Sequence, residues 1–256
     1  MPGTAGAGGV MRTKLVLLAV TLAVLCPSGF AQTNAIAPVT HRNSALIPEP
    51  RKGRAATRQT LVLQRARENQ GDCDLEFIGD SITQFWEKGG QNVWGEYYGK
   101  RKALNFGVTG DQIQNLLWRF SRGQLDGVKP KVAIVMIGTN NSNRNDNSEA
   151  EILEGIKEVV NEVRTKQPGA KVLVLGIFPR GATFCPERGK ILQVNQALAR
   201  MDDGKNIFYL DVGSQFVSAD GSISKDIMSD GIHPTAAGYA IWAKAMEPKL
   251  KELLAE

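Results

Sequence analysis

Histidine is nearly absent from this chain, with two in 256 residues. His41 lies in an irregular N-terminal stretch, so a reaction that needs a histidine base has almost only His233 to use. Cysteine is as scarce, at three. No His, Cys and Asp cluster has metal-ligand spacing, so no metal is expected. No glycine loop matches the dinucleotide or P-loop pattern, which argues against a nucleotide or other phosphate-bearing cofactor. Beyond the first 31 residues no hydrophobic run is long enough to anchor the chain in a membrane. The basic residues Arg51, Lys52, Arg54, Arg58, Arg65 and Arg67 have no aromatics among them to stack on bases, so nucleic acid is not an expected partner.

Residues 1–31 read as a signal peptide. Arg12 and Lys14 precede an apolar stretch over 15–25, and Gly29-Phe30-Ala31 supplies small residues for cleavage after Ala31. Cys26 follows Ala-Val-Leu, whose bulky last residue disfavours lipid attachment. Export to the periplasm or the medium is the expectation. Removing Arg12 and Lys14 from the 31 basic residues leaves 29 against 26 acidic ones. Much of that excess falls in or just after residues 32–56, which lack periodicity and read as an arm docked on the body by ion pairs. One domain is expected over 57–256.

Five short apolar runs, at 75–79, 103–107, 132–138, 172–177 and 207–212, read as strands buried on both faces. Helical patterns at 57–69, 112–122, 149–166, 187–201 and 235–254 precede or follow them. Within 149–166, Ile152, Ile156, Val159, Val160 and Val163 mark one apolar helix face. Alternating strands and helices predict an α/β fold, a three-layer α/β/α sandwich around a five-stranded parallel sheet. Cys73 enters the first strand and Cys185 follows the far end of the fourth. A five-residue strand is about 16 Å long, and bridged Cα atoms approach within about 7 Å, so these cysteines are expected to stay unpaired.

Parallel sheets place their chemistry in loops beyond the strands' carboxyl ends. The first run ends in Gly79-Asp80-Ser81-Ile82, where Ser81 is a candidate nucleophile and Asp80 or Ser81 is equally a helix cap. The second ends in Gly107-Val108-Thr109-Gly110-Asp111; the Gly110 N–H can approach an oxyanion closely, and Asp111 can cap a helix. The third ends in Gly138-Thr139-Asn140-Asn141, whose Asn140 amide is a neutral donor as well as a turn former. Asp230 precedes His233 by three residues, a spacing that lets one turn bring acid and base together. Each motif alone has an ordinary structural reading. Jointly Ser81, Gly110, Asn140, Asp230 and His233 supply a nucleophile, oxyanion donors, a base and its orienter, the parts of an acyl-transfer site.

On these blocks, over roughly residues 72–254, the chain resembles the SGNH hydrolases, also called GDSL lipases or esterases. The resemblance implies the flavodoxin-like fold of that family. It implies Ser81, Asp230 and His233 as catalytic residues, and an oxyanion hole from Ser81, Gly110 and Asn140. Ala103-Leu104-Asn105-Phe106-Gly107, Leu117-Trp118-Arg119-Phe120 and Phe178-Pro179-Arg180-Gly181 liken it most to the branch of platelet-activating-factor acetylhydrolase catalytic subunits and exported bacterial esterases. That branch implies a short-chain, chiefly acetyl, ester on a glycan or small lipid, and subunits that pair as homodimers. No cofactor is implied. Asp80, Asp111, Asn141 and Arg180 are expected as supports or substrate contacts. Arg180 reads more readily as a loop-fixing residue, and Trp86, Trp94 and Trp118 as packing rather than an acyl or sugar subsite. Where the branch carries a bulky pair between acid and base, this chain has Gly231-Ile232, a substitution expected to widen one wall of the site. The alternatives are a thioesterase or lysophospholipase of the same fold, and a non-catalytic glycan-binding surface protein.

Overall fold

The computed structural model describes residue 3 and residues 42–143 and 146–256. The leader, Cys26 and His41 lie outside the described residues, and His41–Glu256 forms one compact unit.

Strands β1 (Gly71–Gly79), β2 (Ala103–Gly107), β3 (Val128–Met136), β4 (Lys171–Leu175) and β5 (Ile207–Leu210) form one sheet in the order β2-β1-β3-β4-β5, with every pairing parallel. The helices are α1 (Gly53–Glu68), α2 (Ser81–Gln84), α3 (Gln91–Tyr98), α4 (Ile113–Ser121), α5 (Glu149–Lys166), α6 (Pro186–Leu198) and α7 (Ala236–Leu254). One sheet face packs against α4, α5 and α6, where Ile152, Ile156, Val159, Val160 and Val163 of α5 are all buried. Each such aliphatic side chain contributes about 1.5–3 kcal/mol on burial. A capping box between Ser148 and Glu151 starts α5, and Arg164 and Lys166 favour its carboxyl end. The other face packs against α3 and α7 through Phe77, Trp86, Tyr98, Tyr239 and Trp242. This is the expected three-layer α/β/α sandwich.

The boundaries differ in informative ways. Both β1 and β3 begin several residues early, at a Gly71–Val128 pairing whose flanking polar residues hide the strand period. Helix α3 was not legible: it is eight residues long, contains Gly95, and is held by Trp94 and Tyr98 against Phe77 and Trp86 rather than by its own propensity. The stretch expected as an arm up to residue 56 is folded from residue 43 onward. Ala45 is buried, the Asn43 amide donates to the Glu151 carbonyl (3.0 Å) and Glu154 (2.9 Å), and α1 begins at Gly53. Arg58 and Arg65 do bind α1 to the body, both pairing with Glu87. Cys73 and Cys185 are free thiols. Among the described residues no helix is long and apolar enough to cross a membrane.

Candidate active site

The order β2-β1-β3 reverses direction at β1, and the loops beyond β1, β2 and β3 meet at that switch point. Gly79 ends β1, and Asp80 accepts the backbone N–H of Ile82 at 2.9 Å, so Asp80 is the cap of α2. Ser81 is left with a free hydroxyl. Its Oγ lies 2.8 Å from His233 Nε2, and His233 Nδ1 lies 2.6 Å from Asp230 Oδ2. Asp230 Oδ1 accepts the backbone N–H groups of Ile232 (2.9 Å) and His233 (2.8 Å), which folds the four residues into one turn. The Phe85 ring packs against the imidazole, with centroids 5.0 Å apart. Phe85 carried no signal in the sequence, because its contact is made across 148 positions by the fold.

Burial pushes the Asp230 carboxyl upward. The hydrogen bonds from the His233 side chain and from two backbone amides outweigh it and hold the group at about 2. The carboxylate therefore stays ionised and draws the imidazole proton to Nδ1, leaving Nε2 to accept from the serine.

Gly110 adopts φ +74°, a left-handed conformation that glycine takes at no steric cost. Its neighbours are pinned on both sides. Thr109 donates through its N–H (2.7 Å) and hydroxyl (2.8 Å) to Gln84, and the Asp111 carbonyl accepts the Asn140 side-chain amide at 2.8 Å. One N–H of the Asn140 amide is thereby used for orientation, and the other makes no hydrogen bond to a described residue. Asn141 joins the same two loops: its Oδ1 accepts the Ile113 N–H at 2.9 Å, and its amide donates to Gln114 and Asn147.

Asp111 does not cap the following helix; Gln112 does, in a reciprocal pair with Asn115. The buried Asp111 carboxylate instead faces the fully buried Arg119 at 3.0 Å. Burial raises Asp111 to about 6 against the pull of Arg119. Arg119 also donates to the Gly79 carbonyl (3.3 Å) and to Gln124. One guanidinium thus ties the end of β1 to the loop after β2, a role the sequence did not show because Arg119 stood out there only as part of a block of family likeness.

Arg180 donates to the Thr139 carbonyl (2.8 Å) and Asn143 (3.0 Å), holding the loop after β3 as a loop-fixing residue would. Trp86 is fully buried among Phe77, Tyr239 and Trp242, and Trp94 packs on Phe77, so both are packing residues. Trp118 is half-buried under Arg122. Gly231 does not widen the site. Its φ is +73°, and a Cβ there would stand 3.2 Å from the backbone of Gly181 and Ala182. The small residue lets the loop after β4 close on the acid–base turn, sealed by the Gly181 N–H donating to the Gly231 carbonyl at 2.7 Å. Among the described residues no group of three or more His, Cys, Asp or Glu is placed to hold a metal ion.

A serine, a histidine and an aspartate in line at the switch point of a parallel α/β/α sheet form the arrangement that serine hydrolases use. The chain belongs to the GDSL-like Lipase/Acylhydrolase family, which matches residues 77–241. It is 39% identical over 184 residues to the human platelet-activating factor acetylhydrolase IB subunit alpha2, covering 72% of this chain and 78% of that one. The human alpha1 subunit is 37% identical over the same share of this chain. Among solved structures, a GDSL-like lipase from Bacteroides thetaiotaomicron aligns with TM-score 0.58 at 19% identity, covering 78% of this chain and 96% of its own. A catalytic mutant of an acetylxylan esterase from Geobacillus stearothermophilus aligns with TM-score 0.55 at 18% identity, covering 70% and 94%. The chain is a carboxylic ester hydrolase of α/β fold, and a non-catalytic binding module is set aside.

Proposed function

We propose that the protein hydrolyses short-chain acyl esters, chiefly acetyl esters of a glycan or small lipid, through Ser81, His233 and Asp230. The continuous contact from Ser81 Oγ to His233 to Asp230, at 2.8 and 2.6 Å, is the observation that carries this reading. His233 Nε2 takes the Ser81 proton as Oγ bonds to the ester carbonyl carbon. The carbonyl oxygen becomes an oxyanion, received by the backbone N–H groups of Ser81 and Gly110 and the Asn140 amide. The intermediate collapses, the carbon–alkoxy bond breaks, and the leaving alcohol takes the proton from His233. Water then repeats the sequence on the acyl-enzyme, delivering its proton to His233 and releasing the acid and free Ser81.

Acetyl preference is supported by the likeness to acetylhydrolase subunits. The test is acetate release across a panel of acetylated polysaccharides and small acetyl esters, with a chain-length series beside it. Ser81→Ala is expected to lose on the order of 10⁴–10⁶ in turnover. Full activity in folded Ser81→Ala defeats the assignment, and rates rising with long acyl chains favour a lysophospholipase or thioesterase. Export after cleavage at Ala31 belongs to the same reading, and N-terminal sequencing of protein recovered outside the cytoplasm tests it.

A further inference from the structure

The cations near the switch point are not equally engaged. Arg58 and Arg65 spend their charge on Glu87, and Arg119 spends its charge on Asp111. Arg51 is different. It lies just before α1, its side chain is 32% exposed, and none of its side-chain N–H groups makes a hydrogen bond to a described residue. Its Nε is buried without a hydrogen-bond partner. The nearest acid is Asp111, at 3.9 Å, whose carboxylate already has Arg119 at 3.0 Å. A second arginine beside one carboxylate leaves a surplus positive charge, and it is located on the more exposed of the two.

Its position is fixed rather than incidental. The Arg51 backbone N–H donates to the buried Gln59 at 2.9 Å. Two residues earlier, the Glu49 N–H donates to the Gln114 carbonyl at 3.1 Å, and the Glu49 carbonyl accepts the Asn115 side-chain amide at 2.9 Å. The segment before α1 is thereby stapled to α4, and it delivers the guanidinium to the oxyanion loop. A Cβ built on Gly110 would stand 2.7 Å from Arg51 Nη2, so the guanidinium occupies the space a side chain at 110 would fill.

We propose that Arg51 is the anion-binding element of a substrate subsite beside the oxyanion loop. It takes a carboxylate, phosphate or sulfate group carried on the ester's alcohol portion. A guanidinium that lies against Gly110, with its one acid at 3.9 Å and already paired to Arg119, keeps N–H groups for bidentate capture of such an oxyanion. The inference deepens the proposed esterase function and rests on it.

The test compares two acetyl esters built on a glycerol backbone, neutral triacetin and anionic acetyl-glycerol phosphate, in the full chain and in Arg51→Met. Both esters are read on the same enzyme preparation, so a partly folded variant cancels in the ratio of their kcat/KM values. The anionic-to-neutral ratio is expected to fall on the order of 10-fold or more in Arg51→Met, chiefly through KM. Inorganic phosphate is expected to inhibit triacetin hydrolysis competitively in the wild type, and more weakly in the variant. A ratio unchanged within twofold overturns the subsite, whether the individual rates hold or fall together. Phosphate inhibition that is equal in both proteins overturns it as well. Ser81→Ala separates the two failures: loss of hydrolysis there with an unmoved ratio rejects the subsite alone, whereas retained hydrolysis rejects the esterase site beneath it.

Discussion

Two carboxyls within a few residues of Ser81 and His233 are pushed in opposite directions. Asp230 is kept at about 2 by donated hydrogen bonds, and Asp80 is pushed up to about 7 by burial, against the N–H of Ile82. The first serves as a fixed negative partner for the imidazole; the second serves as a cap and places Ser81. Asp230→Asn keeps a side chain of the same shape and loses the acceptor that sets the tautomer. It is expected to lower kcat on the order of 10⁴ while leaving the fold intact, measured as turnover of an aryl acetate at neutral pH with a thermal melt as control. Ser81, Gly110, Asn140, Asp230 and His233 were legible as a candidate set in separate loops, because acyl transfer needs those residue types together. Arg51, Phe85 and Arg119 were not. Their contacts bring together residues far apart in the chain or on different turns, and no local spacing marks them.

At the scale of elements, the site is assembled by the ends of strands and held by few connections. Helix α4 contributes Arg119, which reaches both Asp111 and the carbonyl of Gly79. Replacing it by Met leaves Asp111 buried opposite a thioether, with Arg51 only at 3.9 Å. Removing one partner of a buried ion pair costs about 3–5 kcal/mol, and Arg119→Met is expected to show that loss in urea denaturation. The loop after β4 is tied at two adjacent residues, by Arg180 to the loop carrying Asn140 and by Gly181 to Gly231. Gly231 is therefore read correctly as unusual from the sequence and wrongly as a gap. Only the backbone angle and the nearness of residues 181–182 show that its smallness is filled by the chain itself. Helices with a strong apolar stripe, such as α5, were legible in full; α3, held by aromatic contacts from elsewhere, was not.

Across the whole molecule, the core contains one acid with no role at the site. Glu76 lies fully buried in β1, takes the Gln167 amide at 2.7 Å on one oxygen, and has no hydrogen-bond partner for the other. Burial raises it from 4.5 to about 8. Below about pH 4.5 the folded and unfolded chains both hold this proton. Between 4.5 and 8 the unfolded chain gives it up while the folded chain keeps it, so folding stability drains away as pH rises; above 8 the loss levels off. Glu76→Gln removes this drain. The melting temperature of the variant relative to the wild type is expected to climb from pH 5 to pH 8 and then stay flat, which paired thermal melts across that range would show. Parallel sheet, two covered faces and the active edge all followed from strand–helix alternation. A single glutamate within a strand gave no hint of its depth, since burial depends on what the other helices cover.

The aromatic cluster under α2 has a spectroscopic consequence. Trp86 is in ring contact with both Trp94 and Trp242, with centroids 5.9 and 4.7 Å apart, and Trp86 sits five residues after Ser81. Three of the four tryptophans, Trp86 and Trp242 fully buried and Trp94 partly so, thus cluster in one patch near Ser81, close enough to exchange excitation energy. The intrinsic fluorescence of this protein is a local optical gauge of its reactive edge, so a ligand or variant that loosens α2 changes the emission before the rest of the sheet is disturbed.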